Sequence, residues 1–234
     1  MKAYELYFER LDAAGLGNLK RPDLLVFQQS EQAAVERIIE QVGGVGELPF
    51  LREDEAPIQE LLRRALIAVE CENSLWEAQL MPDYGVAMTP QRRLSGRLGM
   101  RKAAVLPTVI IKEEDLGRLD DWQAQAGVPI HVWHSFYDIA FGLSLDRASE
   151  LVKDGDIVAN VQVFQAPGGA TTRKSIYKFY YHYAYSLGVA IEEPKLNARV
   201  ITDKNGHILP FVAFEGGKLE ISPEALVVLR GMRR

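Results

Sequence analysis

The sequence predicts one mixed α/β (α+β) domain, and three observations carry that reading. Over the first two-thirds, stretches with helical spacing of apolar residues alternate with short apolar runs bounded by glycine, proline or charge. From about residue 156 the pattern changes to two-residue alternation, in "DIVANVQVF" and "RKSIYKFYYHYAYSLG", as expected of strands with one buried face. No repeat and no low-complexity linker separates the two parts. Residues 1–155 therefore read as an α/β core and 156–234 as a β-rich extension of the same domain.

Each element has its own signal. Leu6, Tyr7 and Leu11 give residues 3–14 helical spacing, closed by Gly15 and Gly17. "RPDLLVF" (21–27) is a strand after a proline. Ser30 is placed to cap an amphipathic helix over 31–42, with Ala34, Val35, Ile38, Ile39 and Val42 on one side. "GGVGELP" reads as loop, 54–64 as helix, and Ala65 to Glu72 as a strand. "MPDYGVAMTPQRRLSGRLGMRK" is punctuated by glycine and proline and reads as loop. "AVLPTVIIK" is a strand, and "EEDLGRLDDWQAQAG" a helix with acids in its first turn and glycine at its end. "VPIHVWHSF" is a strand and "YDIAFGLSLDRASELVKDG" a helix. "NARVITDKNGHILPFVAF" reads as a hairpin turned at Asn205-Gly206.

With 234 residues, the chain can bury a sizeable core. No apolar run is long enough for a membrane span. One cysteine leaves no internal disulfide and no cysteine-built zinc site, and the first residues lack the apolar core of a signal peptide; a reducing cytoplasm is the expected setting. The net charge of −5 conceals strong segregation. Residues 84–112 contain no acid and carry Arg92, Arg93, Arg97, Arg101, Lys102 and Lys112; residues 157–191 are also free of acids and carry Arg173, Lys174 and Lys178. Basic segments on an acidic body suit a polyanion partner; chance clustering on solvated surface is the plainer account.

Two short pieces carry chemistry. Asp23 opens a strand, and Glu70-Cys71-Glu72 ends another. Strand alternation points both glutamates to one face and Val69 and Cys71, expected to be buried, to the other. Adjacent carboxylates repel unless a cation joins them. Mg²⁺ takes oxygen ligands, often one or two carboxylates with water and substrate phosphate. Taken singly, each acid is more simply a strand-end or turn residue; their combination is what suggests a site.

This arrangement resembles the PD-(D/E)XK nucleases, with Pro22-Asp23 matching the first element and Glu70-Cys71-Glu72 the second, except that Glu72 stands where the family usually has lysine. "ECENSLWEAQLMPDYG", "LPTVIIKEEDL", "VPIHVWHSFYDIAFGL" and "KNGHILPFVAFEGGKL" are similar in character to the AccI type of type II restriction endonuclease, over roughly residues 20 to 230. The resemblance implies a restriction-endonuclease-like mixed central sheet flanked by helices. It also implies Mg²⁺-dependent cleavage of both strands of duplex DNA at a short near-palindromic site, by a homodimer. Carried over by position, Asp23 and Glu70 would ligate Mg²⁺, and Glu72 would orient or deprotonate water or serve a second metal. Lys112, ending "TVIIK", would supply the charge of the missing lysine, or is a solvated strand end.

Arg92, Arg93, Arg97, Arg101 and Lys102 are the candidate phosphate grips, with Arg173, Lys174 and Lys178 beside a β-segment. Glu5 and Glu9 are expected to be surface helix acids. The stripe Tyr177, Phe179, Tyr181, Tyr183 and Tyr185 is expected in the core. His131 and His134 fall on opposite strand faces and make a poor chelate; they, His182 and His207 are read as structural or DNA-facing. Cys71 and Ser74 have no triad context. The competing classes are a non-catalytic DNA-binding protein with a nuclease-like fold and a metal-dependent hydrolase of small phosphate esters.

Overall fold

The computed structural model describes residues 3–17, 19–87, 104–165, 171–202 and 208–232. In chain order its strands are β1 (Leu24–Phe27), β2 (Ala65–Asn73), β3 (Thr108–Lys112), β4 (Ile130–Ser135), β5 (Ile139–Ser144), β6 (Asn160–Gln165), β7 (Thr171–Tyr180), β8 (Tyr185–Glu192), β9 (Lys195–Thr202), β10 (Ile208–Glu215) and β11 (Lys218–Ile221). The helices are α1 (Ala3–Ala13), α2 (Gln32–Gln41), α3 (Ala56–Arg64), α4 (Glu113–Ala126), α5 (Leu145–Lys153) and α6 (Pro223–Gly231). The fold is thus mixed α and β, as the sequence predicts.

A six-stranded sheet runs β1-β2-β4-β5-β8-β11. β2 and β4 are parallel; the other neighbours are antiparallel. The centre of β2 is apolar on both faces because Ile67, Ala68 and Val69 are all fully buried, the pattern of a strand covered on both sides. The parallel β2–β4 pair requires a crossover, which carries β3 and α4. β3 joins a second, antiparallel sheet in the order β3-β7-β6. The main core gathers Ala68, Ile130, Val132, Phe141 and Leu143 of the large sheet with Val109, Ile111 and Phe179 of the small one and Leu116, Leu119 and Trp122 of α4. Smaller clusters lie where α2 and α3 meet (Val35, Ile38, Leu61) and beneath α6 (Ala140, Leu187, Ala225).

Several local expectations need correction. The segment 137–155 is not one helix: Ile139–Ser144 forms β5, and α5 begins only at Leu145, where the Ser144 hydroxyl accepts the Arg147 N–H at 3.3 Å. A run of buried apolar residues is compatible with either state, and the serine cap marks the true start. Ser30 makes no cap; a short 3-10 helix (Gln29–Glu31) leads into α2 instead. "GGVGELP" contributes to another 3-10 helix (Val45–Phe50), and "AVLPTVIIK" is strand only from Thr108. The tyrosine stripe is interrupted by a 3-10 turn at Tyr181–Tyr183, so Tyr177 and Tyr185 lie in different sheets. The stripe is nonetheless core: Phe179 is fully buried, Tyr177, Tyr181 and Tyr183 pack on the main cluster, and Tyr185 on the cluster under α6. β9 and β10 pair antiparallel as expected of the hairpin, and the predicted turn at Asn205-Gly206 lies outside the described residues.

Gly142 and Tyr185 fix one another. A Cβ on Gly142 would lie 2.2 Å from the Tyr185 ring, so only glycine lets the ring cross β5. The Tyr185 hydroxyl then accepts the Trp133 Nε1–H at 3.0 Å and lies 2.9 Å from His131 Nδ1. Gly142→Ala is expected to displace the ring and destabilise the fold by about 1–3 kcal/mol. The check is the urea midpoint together with the near-ultraviolet dichroism of the aromatics; unchanged values would mean the ring moves aside without penalty.

Candidate active site

The chain before β1 is tied to the end of β2 residue by residue. Arg21 hydrogen-bonds Glu53, donates to the Pro49 and Leu51 carbonyls at 2.9 and 2.6 Å, and so anchors the segment. Glu53 also accepts the Trp122 indole N–H at 3.2 Å, which joins this anchor to α4. Asp23 donates its N–H to the Val69 carbonyl at 2.8 Å, and its carboxylate accepts the Cys71 N–H at 2.8 Å. Asp23, itself exposed, thereby continues the β1–β2 ladder with a side chain. Lys20 reaches Glu70 and forms an ion pair with it.

Glu70 is 5% exposed, and its Oε2 is buried without a partner among the described residues. Burial pushes its carboxyl up to about 7, against the hydrogen bond and charge of Lys20, with Asp23 and Glu72 adding repulsion. Burial also lowers the affinity of Lys20 for its proton, but Glu70 foremost, with Asp115 and Asp23, more than offsets this and holds the ammonium above its usual range. Glu72 is raised by burial as well; Lys112 and Lys20 oppose the shift, and Asp23 and Asp115 reinforce it. Lys112 itself lies 3.4 Å from Asp115 in the first turn of α4. Four carboxyl groups, Asp23, Glu70, Glu72 and Asp115, thus share the end of β2 with two ammonium groups, Lys20 and Lys112.

Asp23, Glu70, Glu72 and Lys112 are therefore brought into one neighbourhood. Lys20 and Asp115 join them without any sequence signal beyond residue type, because each arrives from a separate element. The remaining candidates fall elsewhere. Arg92, Arg93, Arg97, Arg101 and Lys102 lie outside the described residues, as does His207. Arg173 is exposed and Lys174 half-buried on β7, and Lys178 lines a groove beside Trp76. Glu9 is exposed on α1, which packs through Tyr7 on Phe50; the Glu5 side chain is not among those described. Ser74 gives its N–H to the Ser135 carbonyl at 2.9 Å.

Cys71 is exposed, contrary to the buried placement that alternation predicts, because the sheet runs out of cover near its rim. Partial desolvation and then the charges of Asp23, Glu70 and Glu72 hold its thiol at about 11, which makes it a poor nucleophile. His134 pairs in register with Glu72, yet it is fully buried and stacks on Phe136 at 4.7 Å. Desolvation lowers both His131 and His134 to about 4, so both are neutral at pH 7. His182 Nε2 lies 2.9 Å from the Val86 carbonyl.

The donor set suits a hard divalent ion: carboxylate oxygens, one of them buried and unpartnered. Among the described residues, no group of three or more His, Cys, Asp and Glu forms a ready-made metal cage. Two carboxylates with water are sufficient for Mg²⁺. Comparison with protein-family models, with curated proteins and with solved structures gave no match to this chain.

Between pH 4.5 and about 7 the folded protein holds a proton at Glu70 that the unfolded chain releases. The stability from this group is complete below 4.5 and is lost as pH rises through about 7. Glu70→Gln is expected to remove that loss, on the order of 3 kcal/mol in full, flattening the fall in stability between about pH 4.5 and about pH 7. Urea titrations at the two pH values read it; an unchanged slope would show that Glu70 is not the proton holder.

Proposed function

We propose that the protein is a divalent-metal-dependent endonuclease of the type II restriction kind, acting on duplex DNA as a homodimer in the cytoplasm. The observation that carries this reading is that Asp23, Glu70 and Glu72 lie near one another at the end of β2, each within electrostatic reach of the others, with Lys20 and Lys112 beside them. The β1–β2 antiparallel and β2–β4 parallel order agrees with a restriction-endonuclease-like sheet, and the acid-free segments suit a phosphate backbone. Among the described residues no helix is long and apolar enough to cross a membrane.

In this reading Asp23 and Glu70 hold Mg²⁺. When bound, the ion supplies polarisation of the phosphodiester and a lower pKa for the attacking water. Asp23 keeps its place because one of its oxygens is fixed by the Cys71 N–H. Glu72, whose proton affinity is raised by burial, orients the attacking water and takes its proton. Lys112, held beside Asp115, and Lys20 offer positive charge to the phosphate as negative charge develops on it.

Mg²⁺-dependent fragments of discrete size from plasmid or phage DNA are the expected product. Asp23→Asn keeps an acceptor for the Cys71 N–H, and Glu70→Ala removes the buried ligand. Both are expected to abolish cleavage while leaving DNA affinity within a few-fold in gel-shift titration. Normal cleavage by either variant would refute the metal site. Intact plasmid over a range of Mg²⁺ and Mn²⁺, with salt-sensitive binding retained, would establish instead a non-catalytic DNA-binding protein. That second reading draws on the Lys20–Glu70 ion pair, which places an ammonium where a metal would sit.

Glu72→Lys separates two mechanisms. If Glu72 acts on water, the variant loses most of its turnover and its pH–rate profile loses the limb due to this carboxyl. Retained turnover would mean that the position needs only a polar group near the phosphate.

A further inference from the structure

Just beyond the carboxylates, β2 ends at Asn73 and the chain enters a loop that is firmly held yet displays large apolar side chains. The Ser74 N–H is bonded to the Ser135 carbonyl at 2.9 Å, and the Tyr137 N–H to the Trp76 carbonyl at 3.0 Å. The Asp138 carboxylate accepts the Ala78 and Gln79 N–H groups at 2.7 and 2.9 Å, and Ala78 is fully buried. On this fixed backbone Trp76 is 70% exposed and Leu80 is 74% exposed. A rigid loop that leaves an indole in water forgoes about 25 cal/mol for every Å² of apolar surface it could bury, so a ligand that covers it is favoured.

Trp76 and Leu80 form one wall of a groove of about 890 Å³. The other wall is the small sheet: Asn160 and Gln162 of the edge strand β6, and Lys178 and Tyr180 of β7. Asn160 and Gln162 are two residues apart and share a strand face; register places Gln162 opposite Lys174, whose face also carries Lys178. The Asn160 amide N–H₂ donates to the Val158 carbonyl at 3.1 Å. The lining contains side-chain amides, an ammonium and an indole, the groups that bind the edges and faces of nucleobases. Glu77 also lines the groove. A carboxylate there repels phosphate, so the groove suits an uncharged base more than the backbone.

Position links the groove to the carboxylates. Glu72 and Trp76 are four residues apart, so their Cα atoms are separated by at most about 14 Å. Beside the groove, the Asp83 N–H donates to the Val105 carbonyl at 3.0 Å, and the Val105 N–H to the Asp83 carboxylate at 2.6 Å.

We infer that this groove takes one unpaired nucleobase of the substrate strand, stacked on Trp76 and read along its edge by Gln162 and Asn160. This rests on the nuclease reading for its neighbouring phosphodiester and adds a base-extrusion step to it. The energy of unstacking is repaid by stacking on the indole. A nick or cut would then fall beside an extruded base, and mismatched or bulged DNA would bind better than a perfect duplex.

The test measures binding by the full chain in EDTA, using fluorescein-labelled duplexes that are fully paired, carry one unpaired adenine, or carry one abasic bulge. The unpaired adenine is expected to bind about ten-fold or more tightly than the abasic bulge. A 2-aminopurine at the bulge should lose fluorescence on binding. Trp76→Ala, whose fold is checked by far-ultraviolet dichroism, should abolish the base-over-abasic preference, and Trp76→Phe should retain most of it. Equal affinity for base and abasic bulges, an unquenched 2-aminopurine, or a preference that survives Trp76→Ala overturns the inference. Plasmid cleavage with Mg²⁺ is scored separately. Base preference without cleavage leaves the groove standing and removes the nuclease; cleavage without base preference does the reverse.

Discussion

A carboxylate withdrawn from water at the end of β2 is the constraint to which much of the surrounding structure answers. Glu70 is nearly as buried as the apolar residues before it on the strand. A lone buried charge of this kind is expensive, and the fold meets the cost with Lys20 and a raised proton affinity. Lys20 can serve only if the segment before β1 is held in place. Arg21 does this through two backbone carbonyls and Glu53, and Asp23 through the Cys71 N–H. Lys20, Arg21 and Asp23 thus hold the segment before the edge strand in place and build one side of the carboxylate cluster.

The other side is built from far along the chain. Lys112 and Asp115 stand where β3 gives way to α4, and β3 is held by its antiparallel pairing with β7, Lys112 opposite Ile176. The C-terminal third is therefore not an appendage to the site. β7 positions β3, β6 forms one wall of the groove beside Trp76, and β8 and β11 complete the large sheet. Removing the β-rich part would leave β3 without a partner strand and the main core without Phe179.

What was legible in the sequence were features with a local cause. Two-residue alternation places Glu70 and Glu72 on one face, and both are withdrawn from solvent while Cys71 faces out. The apolar run before them is the buried heart of β2, and Asn205-Gly206 falls between two strands that do pair. The misreadings share a different cause. The apolar stretch from Ile139 fits a strand or a helix, and only the sheet around it decides. The tyrosine alternation continues across a turn because both flanking strands bury the same residue type. Alternation also assigns Cys71 a face but not a cover, and at the rim that face is open. Lys20 and Asp115 were illegible because their meaning lies in Glu70 and Glu72, and proximity across elements is not written in spacing.

Glu72 at the position where the resembled nucleases keep lysine then takes on a definite electrostatic sense. The cluster has not lost positive charge; it receives it from two other parts of the chain, Lys20 before β1 and Lys112 at the end of β3. A lysine at position 72 would make three ammonium groups against Asp23, Glu70 and Asp115, a balance that leaves little attraction for a divalent ion. With glutamate there, four carboxyl groups share the site with two ammonium groups, and one Glu70 oxygen is buried without a partner among the described residues. Under the proposed chemistry, the same substitution that departs from the family pattern strengthens the pull on the metal and adds a carboxylate of raised pKa to act on water.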